Sequence, residues 1–165
     1  MNRQKNNQSG FTLLEALVTI SIVLIVATYS LMSFKSWSEE TSSRAAISAL
    51  RSSLSLARME AIKRGGWVRL CGSAAGSSCD SDIGVGWVIY HDSDGSGLLD
   101  NNEEVLVSES INTNRVTLAL TDVNGSARQS VGFDYRGYTN QESDFVSTSG
   151  ERDFQFRLNR IGRML

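Results

Sequence analysis

The stretch DSDGSGLLDNNE places Asp92, Asp94, Ser96, Leu98, Asp100 and Glu103 at positions 1, 3, 5, 7, 9 and 12 of a calcium-loop pattern, with Gly97 at position 6. Alternating oxygen donors, Leu98 through its carbonyl, can wrap a hard cation while the glycine permits a sharp turn. Glu103 would close the shell with two oxygens. The flanking runs GWVIY and EVLVSE read as strands, however, and not as the two helices of an EF-hand. A solvated acidic hairpin loop accounts for the same residues, so calcium and plain solvation both stand as readings. His91, beside the loop, reads as a surface residue rather than a ligand.

Little else in the chain could perform catalysis. There is one histidine, and neither a nucleophile motif nor a phosphate-binding glycine loop occurs, so the chain reads as a non-enzyme that requires no cofactor. The formal net charge of -2 gives no general field for nucleic acid or acidic lipid. Any such binding must be local, and Arg152, Arg157, Arg160 and Arg163 do crowd the end of the chain. Arg157, Arg160 and Arg163 are the candidate DNA contacts; the favoured reading is that they solvate a strand face or pair with neighbouring subunits.

One more carboxylate stands out by its setting. From Phe11 to Phe34 the only charge is Glu15, and at ~1.5 Å per residue a helix over this stretch would reach roughly 36 Å, enough to cross a hydrocarbon layer. Arg3 and Lys5 before it, with Glu39 and Glu40 after it, predict a cytoplasmic N-terminus and an exported remainder. No small-residue cleavage site follows the apolar run, so it should be retained. A carboxylate inside a membrane costs a few kcal/mol on insertion scales and calls for a partner. A cut between Gly10 and Phe11 would supply one, because the new amine would lie one helical turn from Glu15.

These residues carry a resemblance. GFTLLEALVTI is similar to the class III signal of type IV pilins and type II secretion pseudopilins. The resemblance implies cleavage after Gly10 by a prepilin peptidase, N-methylation of Phe11, and a role for Glu15 in neutralising the N-terminus of an adjacent subunit during assembly. Many relatives have proline where this chain has Met32.

Helical spacing continues beyond the apolar run, with Ile47, Leu50, Leu54, Ala57 and Ala61 on one face and Arg44, Arg51 and Arg58 largely on others. Gly65 and Gly66 supply a stop after Lys63 and Arg64. The reading is therefore a leader over 1–10, a transmembrane and assembly helix over 11–34, its amphipathic continuation over 35–64, and a β-rich head over 65–165. Six short antiparallel strands are predicted from WVRLC, GWVIY, EVLVSE, RVTLAL, SVGFDY and FQFRL, giving an α+β fold. GSAAGSS and TNQESDFVSTSG read as loops. On the far side of the membrane, Cys71 and Cys79 predict a disulfide closing a loop of small residues, a link of about 2.5 kcal/mol by chain entropy.

The segments LSLARMEAIKRGGWVRLC and GWVIYHDSDGSGLLDNNEEVL, together with the closing RIGRM, resemble the GspH/FimT/FimU family of minor pilins and pseudopilins. This implies a low-abundance filament subunit, in a priming or tip complex, whose partners are other major and minor pilins, prepilin peptidase and the inner-membrane assembly machinery. It would lie in the bacterial inner membrane before joining a surface pilus. Two alternatives follow from the same resemblance: a GspH-like pseudopilin of type II secretion, and a pilus-borne DNA receptor acting through a terminal G-R-x-R pattern. Here GRML keeps Gly162 and Arg163 and ends on Leu165 where the second arginine would stand.

Overall fold

The computed structural model describes residues 11–111, 113, 116–149 and 152–165, apart from the side chains of 29–33 and 149. Helix α1 (Leu13–Arg64) is a single run of 52 residues. It starts where Thr12 accepts the backbone N–H of Glu15 on its hydroxyl at 3.3 Å, a T-x-x-E arrangement that caps the first turn. It passes Met32 without interruption, so the position where relatives place proline is ordinary helix backbone in this chain. It stops at Gly65, whose N–H reaches the Ala61 carbonyl at 3.0 Å. Among the described residues no helix is long and apolar enough to cross a membrane. Within the apolar stretch, the described side chains end at Thr28 and begin again at Phe34.

The chain divides inside α1 into two units, residues through Trp37 and Ser38–Leu165. The apolar stripe of the amphipathic continuation supplies one wall of the head's core: Ile47, Leu50, Leu54, Ala57 and Ala61 are buried against residues from both sheets. Burying a leucine of this kind contributes roughly 1.5–3 kcal/mol, so the stripe holds the helix to the strands.

Among the described residues seven strands complete the head, and every pairing between them is antiparallel. One sheet has the order β3 (Glu104–Ser110), β2 (Gly86–Asp92), β1 (Trp67–Gly72), β5 (Ser130–Phe133); the other has β4 (Thr117–Thr121), β6 (Ser143–Ser149), β7 (Arg152–Leu158). The α+β class with a long N-terminal helix is as expected, and each of the six anticipated strands forms. The exception is TNQESDFVSTSG, read above as a loop, which contains β6, the central strand of the second sheet. Its inward face is Ser143, Phe145 and Ser147, all buried, with the Phe145 ring stacked on Phe156 at 4.7 Å. Two of three inward positions are serines, so the apolar alternation that marks a strand is diluted to one residue.

Cys71 and Cys79 are joined by a disulfide with a Cα–Cα separation of 5.5 Å. Cys71 is buried on β1, and the bond closes the GSAAGSS loop as anticipated. Tyr90 and Val88 pack with it in a small cluster on the outer side of β2.

Candidate functional site

Three places carry the residues singled out by sequence. The first is the start of α1. Phe11 lies two residues before the helix and Glu15 in its first turn, and both are exposed. The Glu15 carboxylate has no partner among the described residues, although its position in the first helical turn suits a negative charge by the direction of the helix dipole. Gly10 lies outside the described residues. Around Glu15 the apolar side chains are solvent-facing: Leu13 is 84% exposed, Leu17 60% and Val23 64%.

The second is the acidic hairpin, set between the end of β2 and the start of β3. Asp92, Asp94 and Glu103 come together, their carboxylate oxygens lying within 4.8 Å of one another. Asp100 is not among the clustered carboxylates. The Ser96 hydroxyl donates to the Leu98 carbonyl at 3.3 Å, and one Asp100 oxygen accepts the Asn102 N–H at 2.7 Å. Asp94 accepts the Ser96 N–H at 2.8 Å. Glu103 accepts the N–H of Ser93 at 3.2 Å and of Asp100 at 3.3 Å, tying the two ends of the loop together. Burial pushes the Glu103 carboxyl above the ordinary glutamate value, and the neighbouring charges of Asp92 and Asp100 add to it. Asp92 is buried and ion-paired to the guanidinium of Arg69, a residue the sequence reading passed over. Arg69 also lies over the Trp67 ring at 4.9 Å, so the pair is set by two neighbouring positions of β1. Tyr90 donates to the Gly97 carbonyl at 3.1 Å, and burial pushes its phenol up to about 12. His91 is only partly buried and stands outside the carboxylate cluster.

The third is the C-terminal arginine set, which the structure splits. Arg157 makes a two-pronged bond to Asp144 at 2.6 and 2.9 Å across the β6–β7 ladder. Arg152 reaches Glu40 at 3.1 Å; Arg44's hydrogen bond, with the charge of Arg152 behind it, holds the Glu40 carboxyl below its ordinary value. Arg160 and Arg163 have no acidic partner among the described residues and are exposed. Gly162 has a structural task. Its φ is +72°, and a Cβ there would run into the Gly137 carbonyl and the Arg58 guanidinium. Arg58 donates to the carbonyls of Gly162 at 2.9 Å and Ile161 at 3.1 Å, clamping the terminal turn to α1.

Arg58 is the third member of a row. Arg44 lies over the Phe154 ring and Arg51 over the Phe156 ring, each at 4.8 Å, so arginines seven residues apart grip β7 and the turn beyond it. Seven residues are close to two helical turns, and that spacing was the available signal.

A capped helix that exposes apolar side chains from its first turn, followed by a helix-backed antiparallel head, defines a pilin-like subunit. Residues 46–162 match the family Type II transport protein GspH, and residues 5–31 match the prokaryotic N-terminal methylation motif. The chain belongs to the GspH family. Two crystal structures of the type IV minor pilin FimU from Pseudomonas aeruginosa PAO1 share the fold. One, in space group P21, aligns with a TM-score of 0.60 at 18% identity over 78% of this chain and 90% of that one. The other, in P65, gives 0.57 at 20% identity over 74% and 90%. No match was found among curated proteins. Family and fold are those of structural pilins, and the methylation motif implies processing by a prepilin peptidase and assembly with other pilins.

Proposed function

We propose that this chain is a minor type IV pilin. Prepilin peptidase cuts between Gly10 and Phe11, Phe11 is N-methylated, and residues 11–34 hold the subunit in the bacterial inner membrane with its head in the periplasm. The subunit then enters the pilus through a priming or tip complex. The observation that carries this reading is the first half of α1, where exposed leucines, isoleucines and valines surround a carboxylate with no partner among the described residues. Such a surface is costly in water and suits first a bilayer and then the helices of neighbouring subunits. In that setting the Glu15 carboxylate meets the amine of an adjacent Phe11.

Glu15→Ala tests this directly. The variant should fractionate with membranes as the wild type does, while its content in sheared filaments falls at least tenfold. Normal incorporation of the variant would remove the assembly role of Glu15.

The GspH family match supports a second reading, a pseudopilin of type II secretion with the same helix physics. Finding the subunit in isolated surface filaments supports the pilus; a secretion defect on deletion, with no subunit in surface filaments, supports the secretion machine. The DNA-receptor reading retains Arg160 and Arg163, since Arg157 is held by Asp144.

A further inference from the structure

Asp92 has two carboxylate oxygens, and the head satisfies one. Oδ2 is held by Arg69 and by the Gly97 N–H at 3.1 Å. Oδ1 is buried with no hydrogen-bond partner, and the side chain as a whole has no solvent exposure. A charged oxygen stripped of water and left unmatched carries a desolvation cost that none of the surrounding groups offsets. It belongs to the same three-carboxylate cluster as Asp94 and Glu103. Arg69 cancels only one of those three charges, and neither Asp94 nor Glu103 has a cationic partner among the described residues. Two negative charges therefore remain, three less one.

The donor set suits calcium. The carboxylate oxygens lie within 4.8 Å of one another, inside the roughly 5 Å that oxygens bound to a calcium ion at 2.3–2.6 Å can span across the ion. An irregular loop of oxygen donors matches calcium's flexible coordination better than the strict octahedron of magnesium, and the cluster contains none of the nitrogen or sulfur donors that zinc prefers. The loop is also built as such a site requires. Gly97, at position 6, has φ +81°, and its N–H occupies Oδ2 so that Oδ1 stays available. Glu103, at position 12, is steadied by two backbone N–H groups with its remaining lone pairs open.

We propose that the β2–β3 hairpin is a calcium site, with Asp92 Oδ1, Asp94 and Glu103 as its carboxylate ligands and water completing the shell. The strands on either side replace the helices of an EF-hand, so the ion fastens the end of β2 to the start of β3. Three carboxylates, one of them already paired to Arg69, suit the weak range of extracellular modules, with Kd about 10⁻⁴ to 10⁻³ M.

The test uses the full chain in detergent, freed of metal with EDTA, and titrated with calcium chloride in a calorimeter. One ion should bind per chain, and 10 mM calcium should raise the unfolding midpoint by about 5 °C, whereas 10 mM magnesium should move it by less than about 1 °C. Glu103→Gln and Asp94→Asn should each weaken calcium binding by about tenfold or more while leaving the metal-free circular dichroism unchanged. Asp92→Asn is less diagnostic because it also breaks the Arg69 pair. Absence of binding heat, an equal shift with magnesium, or a calcium shift retained in Glu103→Gln would overturn the assignment.

Discussion

Helix α1 carries two apolar stretches with opposite surroundings. In the first, Leu14 and Leu24 are 73% and 61% exposed; in the second, Leu50 and Leu54 have no exposure at all. The residue types are the same, and the difference lies in what the chain provides for them. Around Leu50 and Leu54 it provides two sheets, so the burial is internal and stabilises the head. No described residue covers Leu14 and Leu24, a surface that under the proposed function suits lipid or other subunits. One continuous helix thus serves folding at one end and, under the proposed function, assembly at the other.

The sharpest way to break this contrast is to truncate one leucine in each stretch. Leu54→Ala should lower the head's unfolding free energy by about 2–5 kcal/mol, as a cavity in a packed core does. Leu17→Ala should leave the head's denaturation curve unchanged. Equal effects of the two substitutions would erase the distinction between the two halves.

A smaller effect is expected at the terminal turn. Arg58→Ala removes two hydrogen bonds from a charged donor to the carbonyls of Gly162 and Ile161 and should cost about 1.5–3 kcal/mol. Arg58→Lys should recover only part of this, because an ammonium cannot span both carbonyls as a planar fork does. If Arg58→Ala melts like the wild type, the clamp is incidental.

Acidity should separate the two ends as well. Burial raises the Asp134 carboxyl, but the N–H groups of Tyr138 and Arg136 and the Arg136 guanidinium outweigh it and hold the group below its ordinary 3.8. A depressed folded pKa gives stability that is present above 3.8 and lost as pH falls through the lower folded value. The head of Asp134→Asn should therefore show a shallower loss of stability below about pH 4 than the wild type. An identical acid profile would show that the turn contributes nothing through its charge.

Much of this contrast was legible in the residues themselves. The apolar run with one carboxylate, the stripe from Ile47 to Ala61, the glycine stop and the cysteine pair each express a local rule of spacing or chemistry. The strand β6 was not legible, because Ser143 and Ser147 take inward positions where an apolar side chain would have marked the alternation. The task of Gly162 was hidden for another reason: its neighbours, Gly137 and Arg58, are distant in sequence and meet only in the folded chain. The Arg69–Asp92 pair is of the same kind, fixed by the β1–β2 register that sets Arg69 opposite Tyr90.

The smallest effect concerns DNA. Any retention of duplex DNA at low salt should involve Arg160 and Arg163 but not Arg157, giving a log-log salt slope of about -1.8 for two phosphates. Arg160→Gln should flatten it by roughly one unit and Arg157→Gln by none. A slope lost with Arg157 would mean that its pair with Asp144 opens on binding.

The claim that the first half of α1 is an assembly helix rests most directly on where the working chain begins. Mass spectrometry of the protein taken from native membranes or filaments should give a chain starting at Phe11, with one added methyl group on its amine and Glu15 unmodified. An intact Met1 N-terminus in that material would contradict it.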